Sequence, residues 1–506
     1  MARPAVARYR AQLFTKFLLH RGGAGEVYPP IQGELPEIFI PGQAQRAYPF
    51  KITDDVKFDI GGDTVVTKNL RPSYLKARKA ALNLKAYFSR EYPGLRYRRC
   101  LGWGGNGLAA AFDHLTEDGH MIRSLVVKML FSDDIYLVKE EKHQNAEHII
   151  QVVFIDGIDQ GTTIGTPMDI DMPDKELHGY YSVQTQPNVL ITEMMENGDL
   201  ANFIARVRLH NEKFPNAILW RLLLCLVRMC IGLAYPPINQ GIFDNPAPIR
   251  ETLPANPAEP SRRIVHFDFD PWNIFVGDVG KEFEHSFTPL IKLGDFGLAT
   301  EVKPNQDDLY YERLREYGKT GFFSPEQFSI RWDFIPPDSN TVQFEPVAGN
   351  YDTHTNVWAI GCIMECLITL CRPASPPKPT RTSCRPPSGK TVYYTYGAHL
   401  EQNVYSHVDR DLVAIAIRCQ AHVPRDRPTL RDLEVYVRAM ISQKGNDDKT
   451  EDELRQWVQK ILYNPPPPAP RQSWREPVIL GSGPRTRVWH WARRRPQHPG
   501  VRWAPY

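Results

Sequence analysis

The sequence predicts an α+β fold of two lobes, in which an antiparallel sheet with a helix precedes a mainly helical half. The first observation is a series of alternating apolar segments, at Tyr97–Leu101, Leu108–Asp113 and Ile122–Leu130, which is typical of strands. The second is a change of period after residue 198, because residues 199–234 carry apolar side chains at helical spacing. Strands first and helices after are typical of a two-lobed α+β domain.

The remaining elements follow the same division. In the first half we expect a polar helix over Asp134–His148 and strands over Ile149–Ile155 and Asn188–Met194. In the second half we expect one strongly apolar helix, three short strands and a helical region from Pro325 to Met440. The apolar face of the helix is formed by Leu219, Leu222, Leu223, Leu226 and Met229. The three short strands are expected at Arg263–His266, Asn273–Val276 and Leu290–Leu293.

The domain organisation follows from where these patterns begin and end. We expect a catalytic domain over residues 96–442, with the first lobe at about 96–194, the second at about 195–442, and inserts at 156–187 and 236–261. Residues 1–95 are predicted to be a partly ordered extension, with a strand-like patch at Phe58–Val66 and a helix-like stretch at Tyr74–Tyr92. Residues 443–506 are predicted to be a disordered tail rich in Pro, Arg and Trp. The alternative for this tail is a basic arm that binds nucleic acid, acidic protein or a membrane surface.

Composition and charge exclude some classes of function. The 61 Lys and Arg residues nearly balance 58 Asp and Glu residues, so the chain as a whole has no strong attraction to nucleic acid. The 8 cysteines form no CxxC pair, which favours a reducing, intracellular location in the cytoplasm or nucleus. The longest apolar run, Val357–Cys371, is too short to span a bilayer and predicts a buried helix. Proline clusters at 246–259, 372–387 and 464–470 predict segments without regular structure.

A glycine-rich turn and a lysine strand indicate a phosphate site. The run LGWGGNG at 101–107 lies between two predicted strands, where glycines let backbone amides approach phosphate oxygens. A strand rather than a helix follows, which excludes the dinucleotide-binding version of the motif. In the next strand, Lys128 stands among apolar residues, and its position after the glycine turn favours a phosphate-pairing role over an edge-strand lysine that faces solvent.

Two later motifs carry the chemistry. HFDFDPWN at 266–273 is followed by a strand and then by GDFG at 294–297. Phosphoryl transfer needs a carboxylate to orient the attacking hydroxyl and oxygen ligands to hold magnesium on the phosphates. Asp268 suits the first role, and Asn273 with Asp295 suits the second. Between the lobes, LITEMMENGDL at 190–200 combines an apolar strand, an acidic glycine-containing turn and a helix start, as a hinge requires.

In this order the motifs resemble those of eukaryotic protein kinases, over roughly two-thirds of the chain. The resemblance implies a bilobal kinase fold, with ATP and Mg²⁺ as cofactors and proteins as substrates. It implies that Ser324-Pro325-Glu326 and Val357–Gly361 are the family's APE element and central helix, and that Arg427 pairs with Glu326. It also implies Thr192 as the gatekeeper and hinge hydrogen bonds from the backbone of Glu193 and Met195. The implied ATP contacts are Leu101, Gly102, Gly104, Gly107, Ala109, Val126, Lys128 and Phe275.

The sequence departs from the family at several positions. Phe267 replaces the arginine of HRD, which predicts a kinase that needs no phosphate on its activation segment. Asp270 replaces the catalytic-loop lysine and would repel the γ-phosphate unless a cation offsets it. Lys319 stands where a threonine is expected, and Asn356 replaces the aspartate that braces the loop. The glutamate partner of Lys128 is unclear, with Glu140 as a candidate.

Three functions therefore remain open at this stage. The first is an ATP-dependent protein kinase, serine/threonine more than tyrosine, because nothing in Phe269–Trp272 resembles the tyrosine-kinase loop. The second is a pseudokinase scaffold that binds nucleotide and partners without turnover. The third is a small-molecule kinase of the aminoglycoside type, whose loop also lacks the lysine; the hinge, the Glu326 element and Arg427 argue against it.

Overall fold

A four-stranded antiparallel sheet forms the first lobe. The computed structural model describes residues 45–51, 72–103, 107–130, 145–155, 189–237, 247–280, 283–336, 339–375, 377–384, 391–444, 449–464, 466 and 478–480. A short strand, β1 (Gln45–Ala47), and a helix, α1 (Pro72–Glu91), precede the sheet. Its strands are β2 (Leu95–Trp103), β3 (Gly107–Leu115), β4 (Met121–Leu130) and β5 (Val189–Glu193), side by side in this order. The strands predicted at Tyr97–Leu101, Leu108–Asp113 and Ile122–Leu130 are confirmed and are longer than predicted, whereas β5 is shorter than the predicted Asn188–Met194.

Helix α1 covers one face of this sheet. Ala77, Ala81, Leu84 and Phe88 are each 0% exposed and pack with inward residues of the strands such as Phe112. Burying a side chain as large as Leu or Phe contributes roughly 1.5–3 kcal/mol, so this helix is a structural part of the lobe. The helix predicted at Tyr74–Tyr92 is present, but a boundary at residue 96 would divide a single hydrophobic core. The strand-like patch at Phe58–Val66 lies outside the described residues.

The second lobe is mainly helical. Its first part contains α2 (Leu200–Leu209), α3 (Asn216–Ala234), β6 (Ile264–Val265), β7 (Ile274–Val279), β8 (Pro289–Leu293) and β9 (Thr300–Glu301). Two short helices follow, α4 (Asp308–Leu314) and α5 (Pro325–Phe328), and then α6 (Thr353–Thr369). The remaining elements are β10 (Thr380–Cys384), β11 (Thr391–Thr395), α7 (Arg410–Cys419), α8 (Leu430–Lys444), α9 (Glu451–Tyr463) and β12 (Val478–Leu480). Strand β7 pairs with β8, β6 with β9, and β12 with β1, all antiparallel.

Helices α3 and α6 form the centre of this lobe. Every residue of α3 from Ala217 to Ala234 is buried, and so are the α6 residues from Thr355 to Ile368. Helix α3 is, among the described residues, the one helix long and apolar enough to cross a membrane, and all of it is packed inside the lobe. A strongly apolar helix of this length is expected at the centre of a protein core. The buried helix predicted from the run Val357–Cys371 is confirmed.

The predicted tail is wrong for residues 451–463, which form helix α9. Leu454, Val458 and Ile461 are each 0% exposed and belong to the core of the second lobe, while Thr450 caps the helix through a capping box with Glu453. The charged residues between these apolar positions suggest a solvated segment when read one by one, yet the i, i+4, i+7 spacing buries one face. The predicted acidic or nucleic-acid partner has no support from the described residues of the tail.

Two further expectations need correction. Residues 380–384 and 391–395 form an antiparallel hairpin inside a region predicted to be helical, and β10 falls within one proline cluster. The strand fits because the prolines of the cluster stand before Thr380 and after Cys384 rather than within it. Residues 149–155 make only isolated bridges, Ile149 to Leu293 and Val152 to Thr192, instead of a regular strand. Of the two predicted inserts, 156–187 lies outside the described residues. Residues 247–261 of the second form no regular helix or strand and are mostly exposed, with an isolated bridge from Ile249 to Ala146 and bends and a turn at 255–259.

Candidate active site

The sheet turns one of its faces toward the cleft between the lobes. In β4, Leu125 and Val127 are buried against α1, while Val126 and Lys128 on the opposite face are only half-buried. Ala109 lies opposite Lys128 in the register, and Gly102 lies opposite Ala109, so these residues share that face. Leu101 is half-buried in β2, Gly107 begins β3, and Gly104 lies outside the described residues. The predicted nucleotide contacts of β3 and β4 therefore lie together.

The connection between the lobes begins at the end of β5. Thr192, the predicted gatekeeper, lies opposite Val126 and is 2% exposed. The side chain of Glu193 accepts hydrogen bonds from Lys292 Nζ at 2.7 Å and from the Gln151 amide at 2.8 Å. The carbonyl of Met195 accepts the Gly198 amide at 3.3 Å. These bonds tie the hinge to the strand that leads into the GDFG motif.

Phe275 and Gly294 form a close contact below this cleft. A Cβ atom on Gly294 would lie 2.9 Å from the Phe275 ring, so a residue with a side chain would displace that ring. Phe275 is half-buried and belongs to β7, and Gly294 directly precedes Asp295. Phe275, one of the implied ATP contacts, can therefore lie beside the GDFG motif because position 294 has no side chain.

The catalytic loop orients Asp268 through Asn273. The Asn273 side-chain nitrogen donates to the Asp268 carbonyl at 2.8 Å and to Asp268 Oδ2 at 2.7 Å. Asp268 Oδ1 has no hydrogen-bond partner within the described residues. This oxygen is therefore the one left to accept a bond from a substrate hydroxyl. Both amide hydrogens of Asn273 are used, so its side-chain oxygen remains to bind a cation.

Asp295 lies close to this pair, because the amide of the preceding Gly294 donates to the Asn273 carbonyl at 2.9 Å. Its backbone is left-handed, with φ of 60°, and its side chain is 55% exposed. Lys128 Nζ lies 3.9 Å from Asp295 Oδ1. The Lys128 ammonium lowers the pKa of Asp295, so its carboxylate is ionised at neutral pH. A carboxylate and an amide oxygen suit a hard divalent cation such as Mg²⁺. Glu140, the candidate partner of Lys128, lies outside the described residues.

Comparison with known proteins finds a protein kinase domain in part of the chain. Residues 260–436 match the family model for a protein kinase domain. This match, together with the relatives below, supports a eukaryotic-type protein kinase domain in this part of the chain. It is 25% identical over 244 residues to the proto-oncogene tyrosine-protein kinase ROS of Gallus gallus, which is 48% of this chain and 8% of the relative. It is 26% identical over 176 residues to the serine/threonine-protein kinase PLK1 of Xenopus tropicalis, with 34% and 22% covered.

A third relative has the same level of similarity. The G2-specific protein kinase nimA of Emericella nidulans is 26% identical over 208 residues, which cover 40% of this chain and 24% of the relative. These alignments reach less than two thirds of the length of each relative. The relatives include both tyrosine and serine/threonine kinases, so the acceptor residue does not follow from them.

Two elements of the kinase domain pair as the family resemblance implies. Arg427 donates to both carboxylate oxygens of Glu326 at 2.7 Å, which confirms the predicted pair. Asn356, where the family has an aspartate, accepts the His266 amide at 3.1 Å and donates to the Ile264 carbonyl at 2.8 Å. An amide thus braces the catalytic loop from both ends. A carboxylate could only have accepted at these two positions.

His266 connects the loop to the GDFG motif by packing. Its ring lies 5.0 Å from the Phe296 ring in an edge arrangement, and it is 0% exposed. Burial lowers the pKa of His266 to about 4, so the ring is neutral at physiological pH. The neutral imidazole can pack against the aromatic ring of Phe296 without a desolvation penalty for a charge.

The sequence did not predict how the activation segment, which lies between GDFG at 294–297 and Ser324-Pro325-Glu326, packs on the catalytic loop at 266–273. Phe267, which replaces the arginine of the loop, packs its ring 5.7 Å from Tyr317 and 5.3 Å from Tyr351. Gly318 has φ of 106°, and a Cβ there would lie 2.2 Å from the Phe267 carbonyl oxygen. The segment therefore docks on the loop by aromatic contacts and close backbone approach. Phe267 together with the Tyr317-Gly318 pair was the available sequence signal.

Lys319, the next residue, reaches into the catalytic loop. Its Nζ lies 2.7 Å from Asp268 Oδ2 and 2.8 Å from Asp270 Oδ2. Asp270 is 0% exposed, and its other oxygen accepts the Trp272 amide at 2.9 Å. Burial raises the pKa of Asp270, and the Lys319 ammonium opposes this rise. The two unusual residues, noted separately in the sequence, are ionic partners.

Proposed function

We propose that this chain is an active protein kinase that transfers the γ-phosphate of Mg·ATP to serine or threonine hydroxyls of protein substrates. The observation that carries this proposal is the convergence of Lys128, Asp268, Asn273 and Asp295 at the cleft. Asp268 keeps one carboxylate oxygen without a partner among the described residues and points the other at Asn273.

The roles of the residues follow from this geometry. Asp268 Oδ1 would accept the hydrogen of the substrate hydroxyl, whose oxygen attacks the γ-phosphorus. The bond from that phosphorus to the β,γ-bridging oxygen breaks, and ADP leaves with the electron pair. The hydroxyl proton passes to Asp268 or to solvent. Bound Mg²⁺, held by Asp295 and the Asn273 side-chain oxygen, would supply neutralising charge for the phosphates. Lys128 would hold the nucleotide phosphates, with Asp295 keeping its ammonium in place.

Serine and threonine are proposed as acceptors over tyrosine. The segment Phe269–Trp272 does not resemble the loop of tyrosine kinases. Two of the relatives described above are named serine/threonine or cell-cycle protein kinases, and one is named a tyrosine kinase. Phosphoamino-acid analysis of labelled protein substrates would decide the acceptor. Phosphotyrosine as the main product would contradict this part of the proposal.

The activity itself is tested by transfer of labelled γ-phosphate to the protein and to generic basic and acidic proteins. Asp268→Asn and Asp295→Asn should each reduce transfer by at least about a hundredfold, since each removes a charge that acts on the reacting groups. Asp118→Asn, in an exposed turn of the first lobe, is the matched control and should transfer normally. Equal transfer by all four proteins would refute the assignment of the site.

A pseudokinase scaffold is the second candidate, and Asp270 is the observation that favours it. A second carboxylate in the catalytic loop adds negative charge close to where phosphate must bind. Nucleotide binding with no transfer to any protein substrate would support the scaffold. Transfer restricted to small molecules would instead support a kinase of the aminoglycoside type. An intracellular location is part of the proposal, and the seven buried free cysteines among the described residues are consistent with it.

A further inference from the structure

The catalytic loop of this domain holds two carboxylates and no cation of its own. Asp268 and Asp270 both approach Lys319 Nζ, at 2.7 and 2.8 Å, and Asp270 has no exposed surface. A buried carboxylate is costly unless a cation neutralises it. The cation comes from the activation segment, 51 residues further along the chain than Asp268. The charges at positions 270 and 319 therefore complement each other across two separate segments.

The backbone around Lys319 is built to bring it to this place. Gly318 passes so close to Phe267 that no side chain fits between them, and it adopts a φ of 106° that favours glycine. The ring of Tyr317, the residue before Gly318, packs against the ring of Phe267 with their centroids 5.7 Å apart. Further along, Gln327 donates to the Tyr317 carbonyl at 2.7 Å, which closes the segment on itself. These contacts hold the backbone of the segment where the Lys319 side chain reaches Asp268 and Asp270.

The ion pairs with Asp268 and Asp270 leave part of the Lys319 side chain accessible to solvent. Its Nζ donates a hydrogen bond to Asp268 Oδ2 and forms an ion pair with Asp270 Oδ2, and the side chain remains 42% exposed. A cation in this position can orient Asp268, neutralise Asp270 and still face an anionic group.

We propose that Lys319 is the positioning residue that supplies, from the activation segment, the positive charge that the catalytic loop lacks at Asp270. This inference rests on the proposed kinase function and deepens it, because it explains how the loop can work with Asp270. A consequence is that the loop is complete only while the activation segment is docked. Docking depends on Phe267, Tyr317 and Gly318, rather than on a phosphate bound by an arginine.

An exchange of the two residues tests this proposal. Full-length wild type is compared with Lys319→Thr, Asp270→Lys and the double variant that returns the cation to the loop. Each single variant should lower kcat by roughly a hundredfold, with a smaller change in the KM for ATP. The double variant should recover at least about tenfold over the weaker single variant. A purely structural role would not produce this recovery.

Lys460→Thr is the matched control for the lysine substitution. Lys460 also pairs with a carboxylate, Glu212 at 2.5 Å, and is 46% exposed, but it lies on α9 far along the chain. Its kinetics should equal those of wild type. If Lys319→Thr is also equal to wild type, or if the double variant is no better than the weaker single one while folded, the proposal is overturned.

A second measurement separates this proposal from the proposed function. Affinity for a non-hydrolysable ATP analogue with Mg²⁺ is measured for the same proteins, with thermal unfolding as the check on folding. Lys319→Thr should weaken binding at least about fivefold, since two carboxylates then lie uncompensated near the phosphates, and the double variant should restore it. If wild type binds but transfers nothing, the kinase function fails while this result still decides the role of Lys319. Unchanged affinity in Lys319→Thr would refute that role.

Discussion

Arg427 and Glu326 form a bidentate ion pair that is closed to solvent. Both distances are 2.7 Å, and both side chains are 0% exposed. The Thr355 hydroxyl also donates to Glu326, at 2.9 Å. Arg427 Nη1 also donates to the His354 carbonyl, at 2.8 Å. The pair therefore connects the end of the activation segment to α6 and to the turn before α8.

Replacing Arg427 by methionine should destabilise the domain strongly. The Glu326 carboxylate would stay buried without its counter-ion, which typically costs about 3–5 kcal/mol. The measurement is denaturant unfolding of the full chain. Arg331→Met, which breaks the more exposed pair with Glu345, is the control and should cost at most about 1 kcal/mol. Equal losses in the two variants would contradict a special role for the buried pair.

Gly318→Ala should cost more than Gly321→Ala, although both glycines have positive φ. A Cβ at position 318 would collide with the Phe267 carbonyl oxygen, whereas a Cβ at position 321 has no neighbour within 4 Å. Both variants carry backbone strain of about 1–3 kcal/mol, so the difference between them reports the contact alone. Thermal unfolding and phosphate transfer are the measurements. A Gly318→Ala protein that matches Gly321→Ala in both would show that the segment does not need this close approach.

The buried pair of His148 and Glu251 should make stability depend on alkaline pH. Burial by itself lowers the pKa of His148, but the Glu251 carboxylate, together with a hydrogen bond that His148 donates to Cys225, outweighs burial and raises the pKa. The two side chains are 0% exposed and 2.8 Å apart. Because the folded pKa lies above the unfolded value of about 6.5, the stabilisation is complete below that pH. It is lost as pH rises through the raised pKa.

Melting temperature measured from about pH 6 to about pH 10, which spans the unfolded pKa of about 6.5 and the raised folded pKa of about 10, tests this expectation. Wild type should lose stability toward alkaline pH, and Glu251→Gln should start lower and show a smaller loss. His120→Gln, in an exposed turn, is the control and should follow wild type. A wild-type profile parallel to that of Glu251→Gln would show that His148 is not charged in the folded state.

Leu454→Ala should destabilise the domain although it lies in the segment predicted to be a disordered tail. Leu454 is fully buried in the core of the second lobe, and removing such a side chain costs about 2–5 kcal/mol. Gln456→Ala, two residues further along α9 on the exposed side, should change stability by less than about 0.5 kcal/mol. Chemical unfolding of the full chain compares them. A small effect for Leu454→Ala would mean that α9 is peripheral to the folded unit.

The sequence by itself determined the chemistry and the order of the motifs. The motifs that contain Lys128, Asp268, Asn273 and Asp295 stand in an order that resembles that of protein kinases, and the strand that carries Lys128 alternates visibly in the sequence. The pairing of Arg427 with Glu326 was also predictable, because the family resemblance implies it. Periodicity is a local property, so it can be read without knowing how distant segments meet.

Tertiary structure alone decided how the departures from the family are resolved. Lys319 and Asp270 each look like a defect in the sequence, and they become partners only because the Gly318 turn lets the segment lie on the loop. Helices α1 and α9 were placed outside the domain, since their mixed composition is typical of solvated segments until a partner surface is known. Contacts between segments far apart in the chain depend on the path of the backbone, and no local spacing encodes that path.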